Sequence, residues 1–346
     1  MSKIVRIHTH GGSEVMVFEE LPDTQPGKGE VRLRIQAIGL NRSDILFRRG
    51  FYTPHKRHMK NQQSTSVVFP SRIGAEATGI VEAIGAGVDT NAIQMGDHVV
   101  TLPTLSQTQY GVYGESAIVP ASLLMKYPET LSPEQGAAIA TSYLTAYGAL
   151  VDCGRVRADE YVLVTAASSS VGLAALQILK QQHAKSIVTT RTSAKKQTLL
   201  DAGADHVIVT DDEQLVQRVL EITEGAGVRL IFDAVGGPQL EALAECAAEN
   251  GNIIEYGAFD RRTAPYPFLP VLWKNLTIRG WTIYNFVEEA DQLAVEQAKQ
   301  YLYEGLRSGT LKPLIDRIFP FEQIAAAHDY LEASNQMGKV VVKVQQ

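Results

Sequence analysis

Cysteine is almost missing from this chain: Cys153 and Cys246 are the two among 346 residues, and they lie far apart. That rules out a disulfide framework and a cysteine-built zinc lobe. Basic excess is missing too. Lysine and arginine number 32 against 38 acids, a net charge of −6, which argues against nucleic acid or an anionic membrane as the main partner. No apolar stretch of about 18 residues occurs, and the opening MSKIVRIHTHGG lacks the apolar centre of a signal peptide, so a cytoplasmic protein is expected. Repeats and low-complexity segments are also absent. What remains is ordinary globular composition, 45% hydrophobic and 20% charged, on a chain long enough for two domains.

The most informative stretch is YVLVTAASSSVGLAALQILK, residues 161–180. Its first four residues form an unbroken apolar run, as a strand buried on both faces of a parallel sheet requires. From Val171 the apolar positions recur at helical spacing, which makes the small residues between them a strand-to-helix turn. Free N–H groups and the positive end of the helix dipole converge there, and a pyrophosphate satisfies both. On the dinucleotide template G-x-G-x-x-G the turn reads Ala167, Ser168, Ser169, Ser170, Val171, Gly172, so one glycine of three survives. By itself that match is weak.

The following run, SIVTT, reads as the next parallel strand. An NAD site usually carries an acid at its end to take the ribose 2′-hydroxyl. Here Thr190, Arg191, Thr192 and Lys195 follow, with no acid among residues 190–196. Cations and a hydroxyl suit a 2′-phosphate, so NADP(H) is expected over NAD(H). The plainer reading of Lys195 and Lys196 is a solvated helix start.

Residues 1–125 show short apolar or alternating runs between glycines, the pattern of a β-rich domain. Strands and helices then alternate from residue 161, as in a doubly wound parallel sheet. The proline-bearing segment after Phe259 reads as a loop, and residues 276–284, from Leu276 to Tyr284, read as an edge strand through which a homodimer would pair. The tail, from 286 to 346, offers two helices and two strand-like runs without another nucleotide fingerprint. The expected division is therefore a discontinuous substrate domain, residues 1–125 and 286–346, around a Rossmann domain, residues 126–285.

Taken together, GLNRSDILFRRGFY (39–52), IGAEATGIVEAIGAGV (73–88), GDHV (96–99), TAYGAL (145–150), AASSSVG (166–172) and NQMGKVVV (335–342) resemble the medium-chain dehydrogenase/reductase superfamily over essentially the whole chain. The nearest likeness is its zinc-free quinone oxidoreductase branch. The resemblance implies an α/β protein with a GroES-like β domain and a Rossmann domain. Zinc alcohol dehydrogenases of the superfamily hold their metal with a cysteine, a histidine and a further cysteine or acid. The matching positions here are Asn41, Ala75 and Thr141, so no metal is expected. Glu76 reads as a structural carboxylate bonding nearby backbone.

Without a Lewis acid, oxidising a plain alcohol is hard, whereas hydride delivery to a conjugated carbonyl needs only a donor near the developing enolate oxygen. The resemblance implies the same: an NADPH-dependent reductase of quinones or of enones, enals or enoyl thioesters. It points to Tyr52 as proton donor or oxyanion partner, with Asn41 and Asp44 shaping the cleft and holding the nicotinamide side. For the cofactor it points to Thr145, to Ser169, Ser170, Val171 and Gly172, to Thr190, Arg191 and Lys195, and to Val235, Gly236, Tyr256, Gly257 and Asn335. A basic insertion, residues 53–72, together with Arg48 and Arg49, places positive charge near the pocket. It is read either as a solvated face or as a site for an anionic tail such as a coenzyme A phosphate. Two other functions stay open: an alcohol or aldehyde dehydrogenase, and a non-catalytic NADPH-binding sensor or structural protein.

Overall fold

Two-sided burial explains the unbroken apolar strand. The structure, a computed structural model, describes residues 1–51, 67–289 and 291–344. In it Val162 and Val164 of Tyr161–Val164 join Leu173, Leu176 and Leu179 of helix Ser170–Gln181 in one core, while Leu163 joins Ile187, Ile208, Ile231 and Ile253 in another on the opposite face. The sheet runs His206–Val209, Lys185–Thr190, Tyr161–Val164, Val228–Asp233, Ala247–Glu255, Thr277–Gly280, and every neighbouring pair is parallel. Strand order reverses between Tyr161–Val164 and Val228–Asp233. Ligands of open α/β sheets bind in the crevice beyond the carboxyl ends at such a reversal.

The second large sheet runs Ile315–Pro320, Lys339–Lys343, Glu30–Gly39, Ala77–Ile84, His98–Thr101, Leu124–Lys126, with Ser116–Pro120 also paired to Glu30–Gly39. Alternating burial along Glu30–Gly39 shows one face packed and the other half wet. Lys339–Lys343 pairs antiparallel with residues 37–39, so the last strand of the chain closes on one of the first.

Two expectations need adjustment. The tail does not return to this sheet from residue 286: helix Gln292–Ser308 buries Val295, Ala298, Leu302 and Leu306 in the core of the parallel sheet, and the return begins at Ile315. Its apolar stripe is long enough to cover the helices flanking that sheet, and there it lies. The edge strand also stops at Gly280, because the Thr282 hydroxyl accepts from Asn285 N at 3.2 Å and starts helix Ile283–Glu289. Among the described residues no helix is long and apolar enough to cross a membrane.

Candidate active site: a phosphate turn and a buried ammonium

Beyond the first strand of the parallel sheet the chain turns into helix Ser170–Gln181, capped by Ser169, whose hydroxyl accepts from Gly172 N at 3.0 Å. A side chain at Gly172 would place Cβ 2.5 Å from Ala167 Cα, so this is the glycine of the template that packing cannot spare. The left-handed residue of the turn is Ala166, at φ 49°, while Ala167 is fully buried. Tail and turn are stitched together: Gly338 N donates to Ser168 O at 3.0 Å, and Gly338 bridges Ser169. Lys195 Nζ donates to Ser168 Oγ at 3.2 Å and to Gln336 O at 2.8 Å, and partial burial lowers its pKa. Thr190 is buried at the end of its strand, and Arg191 is exposed just beyond it. These residues line one face of the crevice, with exposed Asn335 beside them on the tail.

The crevice's other wall comes from the ends of the next two strands. Val235 and Gly236, the latter at φ 69°, follow Val228–Asp233, and Tyr256 and Gly257 follow Ala247–Glu255. Tyr256 N donates to Asp233 O, Phe259 N to Ala234 O and Asp260 N to Val235 O, at 2.9, 3.2 and 2.8 Å. Tyr256 stacks on Phe232 with centroids 3.9 Å apart. Thr145 is buried one turn beyond Thr141 on helix Ala140–Tyr147.

Where the last strand meets Asn41 and the helix of Thr141 lies a buried ion pair. Lys339 Nζ is 2.6 Å from Glu76 Oε2 and 2.7 Å from Asn41 Oδ1, with the two charged side chains 1% and 0% exposed. Asn41 Nδ2 donates to Glu76 Oε2 at 3.2 Å and to Gly39 O at 3.1 Å, and Thr141 N donates to Glu76 Oε1 at 3.1 Å. Glu76 therefore ties the helix carrying Thr141 and Thr145 to the sheet that holds Glu30–Gly39 and Lys339–Lys343. Both amide protons of Asn41 are engaged inside this cluster, so its expected hydrogen bond to the nicotinamide side is corrected to an internal structural role.

Asp44 opens a second chain of contacts. Its Oδ2 accepts from Asn41 N and from the Tyr113 hydroxyl, both at 2.9 Å, and Tyr113 Oη lies 3.0 Å from His328 Nε2. Arg48 Nη1 meets His328 Nδ1 at 3.4 Å, and Nη2 donates to Glu332 at 2.9 Å. Burial, more than any neighbour, raises the Asp44 carboxyl to about 7 and lowers His328 to about 3. Arg48 is fully buried and Arg49 pairs with Glu332, so neither is the free cation expected beside the pocket. Asp44 is likewise fully buried, and it braces Asn41 through the backbone instead of facing the cleft. Tyr52, and residues 53–66 of the basic insertion, lie outside the described residues.

Sequence reasoning missed Lys339, Tyr113 and His328. Lysine at the head of VVVK reads as a strand's solvated end, and its partner Glu76 is 263 positions away.

With this geometry, residues 27–129 match the alcohol dehydrogenase GroES-like domain family and residues 202–342 the family described as zinc-binding dehydrogenase. Over 341 residues the chain is 30% identical to quinone oxidoreductase 1 of Escherichia coli strain K12, covering 98% of both. The chain belongs to the medium-chain dehydrogenase/reductase superfamily. Within that superfamily it falls in the quinone oxidoreductase-like branch and is an oxidoreductase. It is 28% identical over 345 residues to a 2-haloacrylate reductase of a Burkholderia species, covering 97% of each. The solved structure of the Escherichia coli quinone oxidoreductase complexed with NADPH superposes with a TM-score of 0.86 at 29% identity, covering 99% of both chains.

Zinc does not fit this member of the superfamily. Asn41, Ala75 and Thr141 offer neither thiolate nor imidazole, the acid Glu76 is neutralised by Lys339, and among the described residues no group of three His, Cys, Asp or Glu side chains could hold a metal. A reduced dinucleotide does fit: a capped helix start, a glycine at the closest approach and a lysine over the turn are all in place.

Proposed function

We propose that this oxidoreductase uses NADP(H) and reduces a quinone or an α,β-unsaturated carbonyl without a metal. The observation that carries the reading is the position of Lys339: its ammonium pairs with Glu76 and bonds Asn41, at the positions matching the metal ligands of zinc alcohol dehydrogenases, so among the described residues no set is left there to hold a Lewis acid. An acceptor already activated by conjugation is the chemistry left. Relatives named as quinone oxidoreductase and 2-haloacrylate reductase support that class.

Ser169, Ser170, Val171 and Gly172 would hold the pyrophosphate on the helix start, and Thr190, Arg191 and Lys195 the ribose 2′-phosphate. Thr145, Val235, Gly236, Tyr256, Gly257 and Asn335 would line the rest of the dinucleotide. When bound, the reduced cofactor supplies the hydride. The protein's part is to orient the acceptor, exclude water and donate to the enolate oxygen or α carbon. Tyr52 remains the proposed donor, and the Thr141 hydroxyl, buried without a partner on the helix beside Glu76, is a second.

Steady NADPH consumption across a panel of quinones, enones, enals and enoyl thioesters tests the reading. Turnover with at least one class, insensitive to chelators and faster with NADPH than NADH, is expected. Equal rates with NADH, or activity restored only by added zinc, would overturn it.

We further propose a cytoplasmic homodimer, paired through the edge strand Thr277–Gly280.

A further inference from the structure

Two carboxyl groups meet side by side at the carboxyl end of the parallel sheet. Asp233 and Glu255 are directly paired residues of neighbouring strands, and their side chains are within hydrogen-bond reach. Asp233 is fully buried and accepts from four donors: the Thr165 hydroxyl, Val235 N at 3.1 Å and Gln239 Nε2 at 3.1 Å on Oδ1, and Gly236 N at 2.6 Å on Oδ2, which leaves room on Oδ2 for one more. All four partners donate, so Asp233 serves here as an acceptor. Two adjoining carboxylates cannot both be charged cheaply in a buried site, so the proton resides on Glu255. Its Oε1 is buried without a partner, which a neutral acid tolerates better than an anion.

Glu255 lies under the turn that forms the crevice wall. A Cβ added at Gly236 would stand 3.8 Å from Glu255 Oε2, and Asp233 alone fixes the amides of Val235 and Gly236. We propose that Glu255 is a positioning residue, whose neutral carboxyl donates to Asp233 and so holds the Val235–Gly236 turn in the shape that receives the dinucleotide. Loss of its proton sets two anions against each other beneath that turn and weakens cofactor binding. The inference rests on the NADP(H) reading above and adds a pH dependence to it.

Burial first, then the Asp233 charge, raises Glu255 to about 8, in keeping with that arrangement. The surroundings contain little else that titrates in the same range. Thr165 and Gln239 are neutral, and the residue paired with Glu255 on the edge strand is Gly280. The Tyr256 hydroxyl is pushed up by burial and by Asp233, and Asp260 and Arg262 on the following loop pair with each other.

The test is the dissociation constant of NADPH from the full chain, by calorimetry, from about pH 6.5 to about pH 9.5 in wild type and Glu255→Gln. Glutamine keeps a donor toward Asp233 and cannot ionise. The wild type is expected to lose about tenfold in affinity across the alkaline half, and Glu255→Gln to stay nearly flat at the wild type's neutral value. Any alkaline loss arising from Lys195 would persist in the variant, so the difference between the proteins isolates Glu255. An equal loss in both, or none in the wild type, overturns the proposal while leaving the cofactor reading intact. No NADPH binding at neutral pH overturns both. Should Glu255→Gln prove poorly folded, Glu255→Leu, which cannot ionise either, takes its place in a melting-temperature comparison without cofactor: folding raises the Glu255 pKa from 4.5 to about 8, so the wild type must lose stability relative to that variant as pH rises between those values, and a difference that stays flat is the contrary result.

Discussion

Lys339 and Glu76 show what one side chain can be asked to do when it leaves water. An ammonium and a carboxylate, both essentially unexposed, are tolerated because they pair with each other while Asn41 and Thr141 N add further hydrogen bonds. Removing one partner strands the other. Lys339→Met should cost about 3–5 kcal/mol in denaturant unfolding, and adding Glu76→Gln should recover a large part, since the uncompensated charge is then gone. Additive losses in the double variant would show that the two do not form one unit. Asp44 carries the opposite lesson, for its proton is bound more tightly in the folded chain, at about 7 against 3.8. Stability must therefore fall as pH rises between those values. His328, held at about 3 against 6.5, makes stability fall instead as pH drops through its own window, because the unfolded chain takes the proton first. Asp44→Asn is thus expected to gain in melting temperature over the wild type on going from about pH 4 to about pH 8. A difference that is the same at both ends would place the proton elsewhere.

The strand, turn and helix around the phosphate turn were legible because each piece has a local cause. Apolar residues facing two cores specify Tyr161–Val164, small residues permit the tight turn, and helical spacing specifies Ser170–Gln181. The retained glycine at 172 could be read from the template, and its closeness to Ala167 gives the reason. The displaced left-handed position at Ala166 could not, because no local rule requires an alanine at φ 49°. The Lys339–Glu76 pair was equally hidden, since its partners meet only once the last strand has paired with Glu30–Gly39. The same separation explains Arg48 and Arg49, which read as free charge until helix Ile324–Glu332 brings Glu332 to them. At this scale the cap and the cations have different jobs. Ser169→Ala should cost about 1 kcal/mol of stability by leaving Gly172 N without its acceptor. Arg191→Asp should leave stability unchanged and lower NADPH affinity by about tenfold or more with little effect on NADH. Matching losses for both cofactors would remove Arg191 from the 2′-phosphate site.

At the outer edge of the parallel sheet, Thr277–Gly280 has a partner strand on one side only among the described residues. Helix Phe268–Lys274 precedes it with no buried residue, and Phe268, Leu269, Leu272 and Trp273 are 60%, 59%, 55% and 77% exposed. Four large apolar side chains on one short helix, beside an open strand edge, form a surface that a lone chain in water would be expected to cover. A second copy covers it most simply. Two-fold pairing of the edge strands satisfies the unpaired backbone groups, continues one sheet through both chains and brings the two apolar helices into the shared interface. The crevice opens at the carboxyl ends of the strands and not along this edge, so pairing leaves both sites accessible. Sedimentation at micromolar concentration should return the mass of two chains. Trp273→Glu combined with Leu272→Glu should return the mass of one, with the near-ultraviolet spectrum and NADPH affinity retained, because neither side chain is buried within a single chain. A wild type that sediments as one chain, or a double variant that still sediments as two, would move the interface away from this edge.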